Sequence, residues 1–378
     1  MGPVSTDQKK TANPLRALLG CGQSVWLDYI RRDLLTSGEL KRLIEEDGLR
    51  GMTSNPTIFD KAIGASADYD QALGAALRAQ PDLSTKALFE RVAVEDIRMA
   101  ADALRPVYDS SGGADGYVSH EVSPDLAYDK DATMADARRL FKAIGRPNVM
   151  IKVPATPEGV FAVEALIAEG LNINVTLMFS LAHYEAVAQA YLRGLQRNSN
   201  PGGVASVASF FVSRVDTLVD AKLEALGTPE ALALRGKTGI ANCKIVYQRY
   251  RELFTGAPFA EFAKRGARVQ RPLWASTGTK NKAYSDVLYV DELIGPNTVN
   301  TLPPATLDAF RAHGKPRASL EKGLEEARDV FARLKTLNID LDAITETLQV
   351  QGVAAFADSY EQLLKTLDKK RRTILDSK

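Results

Sequence analysis

VMIKVPATPEGVFAVEALIAEGLNINVTLMF, residues 149–179, holds one complete strand–helix–strand unit. Val149–Pro154 and Ile173–Phe179 are apolar runs of strand length, and Glu158–Glu169 between them repeats its apolar residues at helical spacing. Strands alternating with helices of about 10–15 residues imply parallel βαβ units. Upstream, Ser24–Ile30, Leu49–Ser54 and Gly116–Val122 read as strands. Ser37 is expected to cap a helix that stops at Gly48, and Asn55-Pro56 to end the second strand. A helical stretch runs from about Ser84 with Leu88, Phe89, Val92, Ile97, Ala100 and Leu104 on one face, and Thr133–Ile144 is a further helix. Downstream come helix Leu181–Leu195, strand Val204–Val212, helices Arg214–Leu226 and Ile240–Phe254, strand Arg271–Ala275, helix Ser285–Ile294 and strand Thr298–Leu302.

Eight strands each followed by helix fit a single (β/α)8 TIM barrel better than an open doubly wound sheet. No GxGxxG follows a strand, and Arg235–Gly239 (RGKTG) lacks the upstream glycine of a P-loop. The expected organisation is one domain over residues 1–378, with an N-terminal extension at about 1–20 and extra C-terminal helices at about 318–374. The last helix carries a stripe of Ile344, Leu348, Val353, Phe356, Tyr360, Leu363 and Leu367. That stripe is expected to pack on the outside of the barrel, with a dimer face as the second reading.

The 378 residues carry 48 Lys plus Arg against 47 Asp plus Glu, a formal net charge of +1, which argues against a chain built to neutralise nucleic-acid phosphates. Two cysteines, Cys21 and Cys243, cannot build a disulfide framework, and His120, His183 and His313 are scattered, so no His/Cys metal site is expected. No signal-peptide core or membrane-length apolar run is present. The expectation is a cytoplasmic protein without metal or cofactor that binds neither membrane nor nucleic acid, as a monomer or homodimer.

In such a barrel the chemistry projects from the C-terminal ends of the strands. Polar residues at these ends are Asp28, Thr53-Ser54-Asn55, Glu121, Lys152, Asn174, Thr176, Ser209, Arg214 and Ser276. Lys152 stands out, because an amine among Val, Met, Ile and Val needs a partner or a task. Withdrawal from water favours a neutral amine, which attacks a carbonyl to give a Schiff base. Snorkelling, or pairing with Glu121, is the plain alternative. Asp28 and Glu121 suit proton transfer, or are counter-ions to Lys152 and Arg214. Asn55, Asn174, Ser209 and Thr176 suit sugar hydroxyls, although Asn55 before Pro56 also suits a turn. Arg214, Ser276 and Lys280 suit a phosphate, or are surface groups.

The segments LDYI, TSNPTIF, VSHEVSPDLAYD, IKVPAT, GLNINVTLMFS and SFFVSRVD occur in one order over nearly the whole chain, and together they resemble transaldolase. WASTGTKN and the chain length resemble the longer bacterial subfamily. The resemblance implies a class I (Schiff-base) aldolase barrel, circularly permuted relative to other such aldolases. It implies transfer of a dihydroxyacetone unit from sedoheptulose 7-phosphate to glyceraldehyde 3-phosphate, giving erythrose 4-phosphate and fructose 6-phosphate in the non-oxidative pentose phosphate pathway. Lys152 would form the Schiff base, Glu121 and Thr176 would hold a water for proton transfer, and Asp28 would take the sugar-hydroxyl proton. Asn55, Asn174 and Ser209 would hold the dihydroxyacetone hydroxyls, and Arg214 and Ser276 the phosphate. Shorter relatives carry a second arginine where this chain reads ASTGTKN, and Lys280 is the expected substitute. Phe211 would keep the pocket dry; as a Phe where a hydroxyl-bearing Tyr is the alternative, it favours transfer over a free aldolase acting on fructose 6-phosphate. Other readings are a non-catalytic sugar-phosphate-binding barrel and, further off, a metal-dependent hydrolase.

Overall fold

The computed structural model describes residues 13–376. Eight strands, β1 (Gln23–Asp28), β2 (Gly51–Thr53), β3 (Tyr117–Glu121), β4 (Val149–Pro154), β5 (Ile173–Met178), β6 (Ser206–Phe211), β7 (Arg271–Ala275) and β8 (Thr298–Leu302), follow one another around a closed barrel. Every neighbouring pair is parallel, and β1 closes the ring against β8. Buried parallel strands need both faces covered, and helices supply the outer cover. Of the expected N-terminal extension, residues 1–12 lie outside the described residues, and Pro14–Gly20 is a helix capped by the Asn13 side chain.

Period-two alternation sorts the inward residues into layers. At the N-terminal end, Asp115 accepts from Trp26 Nε1 at 2.9 Å and pairs with Arg271 at 3.3 Å, while Arg271 also donates to Ser24. Above lies an apolar layer containing Trp26, Tyr117, Met150, Val207, Leu273 and Val299, all buried. Trp26 fills the barrel so tightly that a Cβ at Gly51 would sit 2.5 Å from its indole, so only glycine fits there. The layer above that, toward the C-terminal ends of the strands, is polar.

Three local expectations change. Ser37 does not start the Glu39–Glu46 helix; it ends a short Arg32–Thr36 helix, and Gly38 in a left-handed conformation begins the next. Asn55-Pro56 does end β2, yet it also starts an unexpected helix, Pro56–Gly64, because Asn55 caps it and proline is pre-organised at the first helical position. Asp70–Ala79, Pro229–Leu232 and Ala257–Lys264 are helices in segments where none was expected.

The largest correction concerns the last helix, Leu341–Asp376. Its first half lies over the C-terminal mouth of the barrel, and only its second half packs on the outside, against Asp70–Ala79 and Thr85–Ser110. Gln349 donates to the carbonyls of Ala155 (3.0 Å) and Leu177 (3.1 Å), at the ends of β4 and β5. Leu177 holds φ of +61°, where β5 bulges, and that carbonyl bond braces the strained turn. Ile344, Leu348, Val353 and Phe356 pack with Leu177, Phe179 and Phe211, and Tyr360, Leu363 and Leu367 join the outer core with Phe59 and Ile63. The stripe is thus buried within this chain. An amphipathic stripe states that a helix must dock, and the non-directional hydrophobic effect leaves the partner open.

Candidate active site

The polar layer opens into a cavity of about 260 Å³ at the C-terminal end of the barrel. Asp28, Asn55, Lys152, Thr176, Ser209, Phe211, Arg214, Ser276 and Lys280 all line it, from β1, β2, β4, β5, β6 and β7 or the segments just after them. Strand register makes this gathering possible. Lys152 is level with Glu121 on β3 and with Asn174 on β5, and Asp28 is level with Thr53 on β2.

Lys152 is 4% exposed. Its ammonium lies 3.8 Å from Glu121 Oε2, donates to the Ser54 carbonyl at 3.3 Å, and stands 5.8 Å from the centre of the Phe356 ring. Burial pushes the Glu121 carboxyl up to about 7, with the Lys152 charge opposing the rise and Asp28 adding to it. Burial also raises Asp28, against the pull of Lys152 and of a 2.7 Å hydrogen bond from Thr53 Oγ1. A carboxylate raised in this way is the better base, and a raised carboxylic acid is a donor near neutral pH. The constellation therefore holds one amine in company with two carboxyl groups, both raised by burial. Glu121 Oε2 and Thr176 Oγ1 are both buried without a hydrogen-bond partner among the described residues.

The expected hydroxyl-binding residues divide. Ser209 donates to Asn174 Oδ1 at 2.6 Å, and Asn174 Nδ2 donates to Ser119 at 2.9 Å. Asn174 is fully buried and does not line the cavity; it stands behind Ser209 and fixes that hydroxyl. Glu121 likewise reaches Lys152 from beside the cavity and lines a smaller neighbouring pocket with His120 and Ser54. Asn55 caps the following helix, its Oδ1 accepting from the Ile58 amide at 3.0 Å, and also lines the cavity.

Arg214 has no ion pair or hydrogen bond among the described residues, and its guanidinium lies over the Phe211 ring at 5.3 Å. Burial pulls it below its ordinary pKa, and Asp28 opposes this. The Ser213 amide donates to the Ser276 carbonyl at 3.1 Å, and the two hydroxyls are 2.9 Å apart. This staple between the ends of β6 and β7 sets Arg214 beside Ser276, whose φ of +57° turns the chain sharply there. Lys280 is exposed at the rim. Phe211 itself is buried against Phe179 at 5.2 Å, serving the core and the wall together.

The cavity wall also includes residues not expected in the site, among them Thr53, Thr301, Lys61 and Phe356. Thr53 and Thr301 bond to one another at 2.7 Å and support Asp28. Lys61 was visible only to a reading that starts a helix at Pro56. Phe356 left no local signal, because it enters from the C-terminal helix. Among the described residues no His, Cys, Asp and Glu side chains gather in threes to hold a metal ion, and no helix is long and apolar enough to cross a membrane.

Comparison with known proteins gives consistent matches. Residues 25–367 match the family model described as transaldolase/fructose-6-phosphate aldolase. The chain is 49% identical to a transaldolase of Thiobacillus denitrificans, over 91% of this chain and 96% of that protein. It is 46% identical to a transaldolase of Frankia alni (94% and 97%) and 45% identical to transaldolase 1 of Streptomyces coelicolor (99% and 98%).

Proposed function

The chain belongs to the transaldolase/fructose-6-phosphate aldolase family, and from that premise we propose that Lys152 carries the dihydroxyacetone unit as a Schiff base while Asp28 and Glu121 move its protons. The activity is that of a transaldolase, a transferase that moves dihydroxyacetone from sedoheptulose 7-phosphate to glyceraldehyde 3-phosphate. The observation that carries the residue assignment is the buried Lys152 amine, 3.8 Å from Glu121 and in one cavity with Asp28.

The steps follow from the groups at hand. Lys152 passes its ammonium proton to Glu121, the resulting neutral amine attacks the ketose C2 carbonyl, and the carbinolamine loses water as Glu121 gives that proton to the departing hydroxyl. The resulting iminium is an electron sink. Asp28 takes the C4 hydroxyl proton, the C3–C4 bond breaks, and its electron pair passes into the iminium to leave an enamine on Lys152. Erythrose 4-phosphate departs, and the enamine adds to the acceptor aldehyde through the same groups in reverse. Hydrolysis then frees fructose 6-phosphate. Ser209, fixed by Asn174, together with Asn55 and Thr176, suits the hydroxyls of the three-carbon unit.

Borohydride reduction in the presence of fructose 6-phosphate tests this reading. The expected adduct is a dihydroxyacetone unit on Lys152, lost again on adding glyceraldehyde 3-phosphate or erythrose 4-phosphate before the reductant. An adduct on another lysine, or none, overturns it.

Phosphate recognition gives a second expected result. A net charge of +1 leaves attraction to local groups, and Arg214 is positioned to make two parallel bonds to phosphate oxygens. Arg214→Ala should raise KM for phosphorylated donors and acceptors by roughly ten- to a hundredfold, the scale of one charged contact of about 1.5–3 kcal/mol. Substrates without phosphate should be nearly indifferent. Steady-state kinetics on both classes checks this; equal weakening of the two would make Arg214 a structural residue.

A further inference from the structure

The helix Pro56–Gly64 begins with the Asn55 cap and turns Asn55, Ile58 and Lys61 toward the cavity at three-residue spacing. Lys61 is exposed and has no ion pair or hydrogen bond among the described residues. Its neighbour Asp60 is engaged elsewhere, accepting from Thr366 of the C-terminal helix at 3.0 Å. The two carboxyl groups of the site, Asp28 and Glu121, are drawn to Lys152 in the floor. The rim carries three cations, Lys61, Arg214 and Lys280, none of which makes an ion pair among the described residues, although Asp28 acts on Arg214 and Lys280 from a distance.

Their placement around the ring is uneven. Arg214 follows β6 and Lys280 follows β7, so these two share one wall. Lys61 follows β2, four strands from β6 in an eight-stranded ring, and so faces Arg214 from the opposite wall. A phosphate dianion has three free oxygens and is held best by donors on more than one side. Arg214, laid on Phe211, is a fixed fork, whereas a lysine on a four-carbon stem adjusts its reach. That freedom has a use in this reaction. With C2 of each ketose on Lys152, the phosphate of the seven-carbon donor lies one carbon farther out than that of the six-carbon product.

We propose that Lys61 is a substrate-binding residue that grips the sugar phosphate from the wall opposite Arg214. This rests on the assignment of Lys152 and of the cavity given above. It also fits the lack, in the segment ASTGTKN, of the second arginine that shorter relatives carry: the phosphate is shared between two walls. The Pro56–Gly64 helix is tied to the C-terminal helix through Thr57 and Ser359 (2.8 Å) as well as Asp60 and Thr366, so Lys61 approaches from a braced element.

The test uses the full chain with Lys61→Gln and Lys61→Arg. Lys61→Gln should raise KM for fructose 6-phosphate and glyceraldehyde 3-phosphate by roughly three- to tenfold, less than Arg214→Ala because the group is exposed and screened. The change should fall on KM and leave kcat within about twofold, and the salt dependence of kcat/KM should become shallower. Lys61→Arg should restore KM, and substrates lacking phosphate should not distinguish the variants. Unchanged KM in Lys61→Gln, or an equal rise for unphosphorylated substrates, overturns the proposal while borohydride trapping on Lys152 in the parent enzyme leaves the site reading standing. Failure of the parent enzyme to trap substrate on Lys152 overturns both.

Discussion

Lys152→Ala is expected to abolish both turnover and the borohydride-trapped adduct. Removing a covalent nucleophile from an enzyme that depends on it costs on the order of 10^4- to 10^6-fold in kcat. No other amine can replace it in the floor of the cavity, because Lys61 and Lys280 stand at the rim and are exposed. The fold should persist, with a marked pH dependence. Glu121 is already raised to about 7 with Lys152 beside it, and without that charge its buried carboxyl takes a proton more readily still. A carboxyl whose folded-state pKa lies above its unfolded one binds more protons when folded, so stability falls as pH climbs from the unfolded value of 4.5 through the folded one. Lys152→Ala should therefore be comparable to the parent in thermal unfolding near pH 5 and lose ground toward pH 8. Turnover that survives in a folded variant, or an adduct on another lysine, would remove Lys152 from its role.

The second large effect separates the two carboxyl groups. Asp28→Asn keeps the hydrogen-bond geometry with Thr53 but cannot accept a proton, so carbon–carbon cleavage should slow by about 10^2- to 10^4-fold, the range of general acid–base contributions. Imine formation should change far less. Glu121→Gln should do the reverse, slowing imine formation and sparing cleavage once the adduct exists. The pH profile adds an independent signature. Below about 7 Glu121 holds the proton that the carbinolamine hydroxyl needs, and above that it has lost it. Imine formation in the parent should decline as pH rises through this region, whereas Glu121→Gln should be slow throughout and lack that decline. Rapid-mix trapping, read beside release of erythrose 4-phosphate, resolves the two steps. Equal slowing of both steps in both variants would mean that the carboxyl groups only set the field around the amine.

The two residues make the same point about legibility. Asp28 is visible as a charge interrupting the apolar VWLDYI, as Lys152 is in VMIKVP, and Glu121 as a charge at a strand end in YVSHEVS. What the runs do not state is that Glu121 lies level with Lys152 across one strand boundary, or that Asp28 is supported by Thr53 and, through it, by Thr301 near the other end of the chain. Asn174 shows the same. Its place in the motif is plain in the sequence, but that its side chain is fully buried and bonded to Ser119 and Ser209 is not.

By itself the sequence determined the alternation of strand and helix, hence a parallel barrel, and which strand ends carry polar groups. These are matters of local period and composition, and β4, β7 and β8 fall where the pattern places them. It also marked the chemistry of Lys152, because a charged group inside an apolar strand costs free energy unless paired or used. Only the tertiary structure decided which polar groups share a cavity, since pairing and closure bring together residues hundreds of positions apart. It alone put Lys61 opposite Arg214, through a helix whose start coincides with an apparent stop at Asn55-Pro56. It alone laid Phe356 over Lys152. The stripe on the last helix specifies how much apolar surface must be buried and on which face. The surface that receives it forms only once β4 and β5 have closed into the barrel and offered the carbonyls of Ala155 and Leu177 to Gln349.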